Sequence, residues 1–174
     1  MTPYAHLLGP RLAALPPACR ALHGGFGRSV GQITVTGARS RALRALARAF
    51  GFPKPVDAAP LTFDTKPVDG GAQWTRRIGG HVMTSTLRAM PDGTLAETIG
   101  RVTLAARLVP EPDGLRLETA WVRVAGIPVP RLLWPRVAAR EWGKATQYHF
   151  QVDIALPLGG PRLVSYRGTL HTDR

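Results

Sequence analysis

The stretch QYHFQVDIAL, residues 147–156, decides the fold class of this chain, because apolar and polar side chains alternate along it almost without a break. A period of two is the pattern of a β-strand with one buried face and one face in water. The closing stretch VSYRGTL, residues 164–170, repeats the pattern after a turn rich in glycine and proline. The two stretches therefore predict neighbouring antiparallel strands that cover a core on one side.

Turn signals extend this prediction backwards along the chain. They recur at intervals of about 8–12 residues, the spacing of an antiparallel meander, and include DGG at 69–71, GG at 79–80, PDG at 91–93 and PDG at 112–114. An Asp-Gly pair suits hairpins because both residues tolerate the positive φ angles of tight turns. We therefore predict a β-meander over residues 61–172, interrupted by a helical turn at 137–142 that follows Pro135.

Two helical regions are predicted ahead of the meander. Prolines divide the N-terminal helical segment, residues 1–25, into short pieces. Residues 38–50 form the clearest helix of the sequence. There, Leu43, Leu46, Ala47 and Phe50 fall on one face, and Gly51 ends the helix.

The architecture follows from the need to cover the apolar face of a long sheet with one good helix. We predict an α+β fold in a single domain, residues 1–174. Its strongly curved, mostly antiparallel β-sheet forms a half-barrel, with the helix at 38–50 packed against the concave face. Such curvature leaves a cavity between sheet and helix, where folds of this kind hold apolar ligands.

The net positive charge of the chain suggests polyanionic partners, but the way the basic residues are distributed weakens that interpretation. The 174 residues carry a formal net charge of +12, which ordinarily indicates nucleic acid or an anionic membrane as partner. Only three of the 23 basic residues are lysines, however, and the arginines are spread along the chain, which favours a compositional bias. Arg41, Arg44 and Arg48 form a basic face on the helix at 38–50, which can bind a membrane or nucleic acid but is more often only solvated. No aromatic residue lies between them, so nucleic acid is the least favoured partner.

The expected location is the cytoplasm. Cys19 is the one cysteine of the sequence and cannot form an internal disulfide, which suits a reducing compartment. The first 25 residues lack the basic start and unbroken apolar stretch of a signal peptide, and no apolar run approaches the ~20 residues of a transmembrane helix. The five histidines show no metal-binding spacing, so neither a metal nor another cofactor is expected.

Two opposite charges lie in register with apolar residues on predicted inward faces. Arg76 shares a strand face with Trp74, and Glu97 shares one with Leu95. A buried charge is costly without a partner, so each residue predicts the other as its partner. Two interpretations stay open: a structural ion pair between adjacent strands, and a guanidinium that binds the anionic end of a ligand while Glu97 orients it.

Four stretches give the chain a resemblance to a known family: WTRRIGGHVMTSTL at 74–87, LAETIGRV at 95–102, IPVPRLLWPRVAAREW at 127–142 and VSYRGTL at 164–170. In the order and spacing of Trp, Arg, Glu, Pro and Gly, the chain resembles the bacterial domain of unknown function family 4166 over nearly its whole length. Members of that family stand alone or follow an oxidoreductase domain. The resemblance implies an accessory role beside redox enzymes and no activity to carry over. The chain has no glycine-rich nucleotide-binding fingerprint of its own, so an oxidoreductase partner would be a separate chain.

Three functional hypotheses remain. The first is non-catalytic binding of a small apolar or anionic amphipathic ligand, such as a lipid or fatty-acyl group, in the predicted cavity. Its predicted lining is Trp74, Arg76, Met83, Glu97, Trp121, Tyr148, Phe150 and Tyr166. The second is an enzyme of unassigned class that uses the Arg/Glu pair, with His81, Ser85 and Glu141 as further candidates. The third is a purely structural domain that docks an oxidoreductase.

Overall fold

The computed structural model describes residues 1–171, which form three short helices, two 3₁₀ turns and eleven strands. The helices are α1 (Pro3–Leu8), α2 (Pro17–Gly24) and α3 (Arg41–Ala49), and the 3₁₀ turns are Gly9–Ala14 and Arg131–Leu133. The strands are β1 (Gly27–Gly37), β2 (Val56–Val68), β3 (Gly71–Ile78), β4 (His81–Ala89), β5 (Leu95–Ile99), β6 (Val102–Glu111), β7 (Gly114–Val124), β8 (Ile127–Pro128), β9 (Arg136–Lys144), β10 (Gln147–Ala155) and β11 (Arg162–His171).

Ten of these strands form a closed antiparallel barrel. Hydrogen-bonded neighbours follow the order β6-β5-β4-β3-β2-β1-β11-β10-β9-β7, and the pairing of β6 with β7 closes the ring, while the two-residue β8 extends the edge of β7. The predicted, mostly antiparallel sheet is confirmed, but the predicted half-barrel is wrong. The pairing of β1 with β11, residues 30–37 against 164–171, joins the first strand to the last. With this pairing and that of β6 with β7 both made, the sheet within residues 1–171 has no exposed edge of the kind an open sheet has.

The main predicted helix lies elsewhere than on a concave face. α3 contacts β11 at one end of the barrel, where Ala47 is its buried residue and Phe50, just beyond it, is 45% exposed. α1 and α2 instead close the opposite end, where they bury Tyr4, Leu8, Ala18, Cys19 and Leu22. A closed barrel leaves no concave face to cover, so helices pack across its ends.

Residues 137–142 belong to β9, so the predicted helical turn is wrong. β9 pairs with β10 along its whole length and with β7 through residues 139–142. Its residues Val137, Ala139 and Glu141 alternate into the barrel interior. The uninterrupted run of strands after α3 begins with β2 at Val56, five residues before the predicted start of the meander, and the predicted end at residue 172 lies outside the described residues.

The two ends of the barrel differ in what covers them. At the end called here the closed end, α1 and α2 contact β4, β5, β9 and β10. At the other end, called the mouth, lie α3 and the turns at 79–80, 100–101, 125–126 and 156–161. The strand register brings these turns together, since Ile78 pairs with His81 and Ile99 pairs with Val102. None of the helices within residues 1–171 has the length and apolar character needed to span a bilayer.

Candidate functional site

A cavity of about 400 Å³ occupies the barrel interior and extends from Tyr4 at the closed end to Leu133 at the mouth. Ten strands enclose more space than their inward side chains fill when several of these are small, as Ala106, Thr119 and Ala139 are. Most of the other lining side chains are aliphatic or aromatic. The volume falls within the ~300–1,000 Å³ of small-molecule sites.

Arg76 places a guanidinium inside this apolar cavity. Its Nη2 donates to Glu97 Oε1 at 2.9 Å, and its Nη1 donates to Ser85 Oγ at 3.0 Å. The guanidinium also lies 5.1 Å from the centroid of the Trp74 ring. The side chains of Arg76 and Glu97 are 18% and 28% exposed, so both charges are largely shielded from bulk water.

The Arg76–Glu97 ion pair spans three strands. β4 lies between β3, which carries the arginine, and β5, which carries the glutamate. The arginine therefore reaches across β4 and binds the Ser85 hydroxyl of that strand on the way. The structure brings the two charges together as the sequence predicts, although the prediction that they lie on adjacent strands is wrong.

Tyr166 on β11 also lines the cavity and is only 7% exposed. Within the described part of the chain, its hydroxyl has no hydrogen-bond partner. Burial raises the pKa of this phenol, so the hydroxyl stays protonated. Because a buried hydroxyl normally has a partner, this one indicates a polar position open to a bound molecule.

A second polar cluster forms the floor of the cavity at the closed end. The Nε2 of His23 lies 2.7 Å from Oε2 of Glu141, and the hydroxyl of Tyr4 donates to Oε1 of the same carboxylate at 3.4 Å. His23 stacks on Tyr4 with ring centroids 3.8 Å apart and meets Tyr148 edge-on at 5.8 Å. Burial and the Glu141 charge raise the pKa of both tyrosines well above its usual value, so both hydroxyls remain donors.

The sequence pattern indicates Glu141 and Tyr148 as candidates but not Tyr4 or His23. A signal for His23 exists, since α2 buries Ala18, Cys19, Leu22 and His23, which are spaced as one helix face. A histidine on the apolar face of a helix predicts a buried partner. Nothing in the sequence shows that this partner lies on β9, more than a hundred residues away.

Seven of the eight residues predicted to line the cavity do so in the structure: Trp74, Arg76, Met83, Glu97, Tyr148, Phe150 and Tyr166. Trp121 does not. The pairing of β6 with β7 shifts register between Ala105 and Ala106, so Thr119 and Val122 face inward while Trp121 faces out. Its indole Nε1 donates to Asp92 at 2.9 Å on the outer face. A β-bulge reverses the inward parity of a strand, and periodicity alone does not reveal one.

The other catalytic candidates are not assembled into a set. His81 lies at the mouth, with Nε2 3.1 Å from the carbonyl oxygen of Gly51, while the Ser85 hydroxyl is bound by Arg76. Glu97 and Glu141 both line the cavity but have different partners. Burial raises the pKa of Cys19 to about 12, which leaves a protonated thiol. Among residues 1–171, no three His, Cys, Asp or Glu side chains converge to hold a metal ion.

Comparison with known proteins gives a family and a fold. The model of a family described as a domain of unknown function (DUF4166) matches residues 15–170. Among solved structures, the chain is similar to the crystal structure of Rv2717c from M. tuberculosis, at 14% identity and a TM-score of 0.50, with 92% of this chain and 99% of that chain covered. At that identity the similarity shows the fold alone. No curated protein matches the chain.

Proposed function

This chain belongs to the DUF4166 family, and we propose that its barrel binds one small apolar or amphipathic molecule of the lipid or fatty-acyl class without transforming it chemically. The observation that carries the proposal is an apolar cavity of about 400 Å³ with the Arg76 guanidinium in its wall. An apolar pocket with few polar groups is the usual form of a small-molecule site.

Arg76 supports an anionic end on the ligand. A guanidinium has five N–H donors, and within the described residues its hydrogen bonds go to Glu97 and Ser85. The remaining donors, together with the Tyr166 hydroxyl, suit a carboxylate or phosphate oxygen. The aliphatic lining between Arg76 and the mouth, including Ile99, Val102 and Ile154, suits the apolar part of the same molecule.

Glu97 has a defined part in this proposal. Its carboxylate fixes the guanidinium through a 2.9 Å hydrogen bond and balances the charge when the cavity holds no anion. It also repels an incoming anion, so affinity reflects a competition between the ligand and Glu97 for the arginine. An arrangement of this kind favours binding that can be reversed.

The experiment is a fluorescence titration of the stripped protein with 11-(dansylamino)undecanoic acid and with its methyl ester. The acid is expected to bind about tenfold more tightly than the ester, because only the acid makes charge-assisted hydrogen bonds to Arg76. Arg76→Gln removes this preference. Arg77→Gln is the matched control, because Arg77 pairs with Asp64 on the outer face, and it keeps the preference.

Equal affinity of the wild-type protein for acid and ester would contradict the role of Arg76. Absence of binding by both probes would contradict the proposal that the barrel binds such a ligand, and would favour the structural docking role instead. Turnover of a bound molecule, lost in Glu97→Gln or Glu141→Gln, would instead favour the enzyme hypothesis. Native mass spectrometry of the protein purified from its host identifies the natural ligand.

A further inference from the structure

The mouth of the barrel presents a distinct outer surface, which we call the mouth surface and define by residues 39–57, 79–82, 99–102, 123–136 and 156–162. These segments are α3 with its flanking loops and the turns that join strands at this end. The closed end has no equivalent, since α1 and α2 cover it and bury their apolar residues.

Exposed apolar side chains concentrate on the mouth surface. Of the ten large hydrophobic residues that are exposed within residues 1–171, all but Met1 and Val30 belong to it. The most exposed of the eight lie in two loops: Ile127 at 69% and Leu132 at 67% between β7 and β9, and Leu158 at 72% between β10 and β11. Single exposed apolar residues are ordinary, whereas a cluster at one end of a domain marks an interaction site.

Positive charge concentrates on the same surface. Among the described residues, its five segments contain ten arginines and lysines and one acidic residue, Asp57. Outside these segments, Asp153 of β10 lies 3.9 Å from Arg162. The closed end instead mixes both signs, with the acids Asp69, Asp92 and Asp113 and the bases Arg11, Arg20 and Lys144. The charge of +12 is therefore polarised along the barrel axis.

The apolar loop between β7 and β9 is held in place and flanked by arginines. The indole Nε1 of Trp134 donates to the carbonyl oxygen of Val129 at 2.7 Å, and the guanidinium of Arg131 lies 6.0 Å from the Trp134 ring. Leu132 and Leu133 project from this base, 67% and 53% exposed. The loop thus combines an apolar tip with a cationic base.

We propose that the mouth surface docks on an anionic lipid bilayer, with the apolar tips of these two loops in the interfacial layer and the arginines against the headgroups. A bilayer offers an apolar layer beneath a negative surface, which is the order in which this surface presents its groups. Nucleic acid offers phosphates but no partner for Leu132 or Leu158, and no aromatic side chain interleaves with the arginines of α3. The inference goes beyond ligand binding, because docking does not depend on what the cavity holds, and it turns the open end of the cavity towards the lipid.

The test is co-sedimentation of the whole protein with phosphatidylcholine vesicles, with and without phosphatidylglycerol. We expect binding to the anionic vesicles, falling steeply as salt is raised, and little binding to the neutral ones. Arg41→Glu with Arg48→Glu is expected to weaken binding about 30-fold or more, since each basic group near the membrane contributes about a fivefold step. The matched control, Lys66→Glu with Arg88→Glu, makes the same charge change away from the mouth and leaves more than half of that affinity.

The apolar tips have a separate pair of variants. Leu132→Asp with Leu158→Asp is expected to weaken binding about tenfold or more, while Val30→Asp on the outer wall has no such effect. Each variant is exposed, so its circular dichroism and melting temperature serve to show that it is folded.

Three results would overturn the proposal. One is absence of wild-type binding to anionic vesicles at low salt. Another is an equal loss of vesicle affinity in the two charge-reversed double variants, which would mean that net charge alone drives binding and that no particular surface faces the membrane. The third is tighter binding to a DNA duplex that is unaffected by Leu132→Asp with Leu158→Asp, which would assign the surface to nucleic acid.

Discussion

The closed end and the mouth of this barrel treat polar and apolar groups in opposite ways. The closed end buries a polar pair, the 2.7 Å contact of His23 with Glu141. At the mouth, apolar side chains such as Leu132 and Leu158 are exposed among arginines. Removing one member of a buried polar pair strongly destabilises the folded state, whereas removing an exposed apolar side chain changes its stability little. The closed end therefore contributes more to the stability of the fold, whereas the side chains of the mouth are available for binding.

Glu141→Ala is expected to have the largest effect on stability, because it leaves His23 and Tyr4 without their shared acceptor at the closed end. Removing one partner of such a buried pair costs about 3–5 kcal/mol. Urea unfolding measures the loss. Glu118→Ala on the exposed face of β7 is the control, with an expected change within about 1 kcal/mol. Similar losses of unfolding free energy in the two variants would contradict the claim that the buried carboxylate stabilises the fold more than the exposed one.

Arg76→Ala, in the middle of the barrel, is expected to have the second largest effect on stability. The side chain is partly exposed to the cavity, so the expected loss is about 1.5–3 kcal/mol, the range of hydrogen bonds to charged groups. Arg77→Ala removes the neighbouring arginine from an exposed ion pair with Asp64 and is expected to cost about 1 kcal/mol or less. Thermal melts of both variants check this. Equal and small shifts would remove the reason to treat the interior arginine as special.

Leu104→Trp tests whether the interior space is real. Leu104 lines the cavity from β6, and a larger side chain that enters empty space costs less than the about 1–3 kcal/mol of overpacking a filled core. We expect a nearly unchanged unfolding free energy and lost binding of the dansyl acid. Arg107→Trp on the outer face of the same strand keeps the binding. A strongly destabilised Leu104→Trp variant would show an interior that is already filled.

Glu97→Gln has the smallest expected effect. The amide oxygen still accepts from Arg76, while the negative charge that competes with the ligand is gone. Affinity for the dansyl acid is expected to rise about threefold, and affinity for the methyl ester to stay unchanged, as about 0.6 kcal/mol of repulsion is relieved. The same titration measures both probes. A weaker acid affinity would mean that Glu97 contributes more by orienting Arg76 than it costs by repulsion.

Local pattern predicts the strands of this fold well. The alternation from Tyr148 to Ile154 places these side chains inside, and Arg76 and Glu97 meet as their shared face with apolar residues indicates. The Asp-Gly pair at 92–93 falls in the turn between β4 and β5, and the pair at 113–114 ends the turn that leads into β7. Such features depend on the nearest neighbours in the chain, which is why they are legible in a single sequence.

Local sequence pattern does not predict that the barrel closes. Closure depends on pairings between distant segments, such as β1 with β11, and no local pattern distinguishes an open curved sheet from a closed one. The same holds for the contact of His23 with Glu141, which joins a terminal helix to β9. The bulge before Trp121 misleads for a different reason, since it interrupts the periodicity that β7 otherwise follows. Pro135 lies just before β9, where a proline is also compatible with the start of a helix.

The most direct test of the central claim, that the cavity holds an amphipathic molecule by its anionic end, is photocrosslinking with a fatty acid that carries a diazirine in its chain. The adducts are located by mass spectrometry of peptides. We expect adducts on interior residues such as Ile99, Val102 or Ile154, and their loss in Leu104→Trp. Adducts confined to the outer wall or the mouth surface, unchanged in that variant, would contradict it.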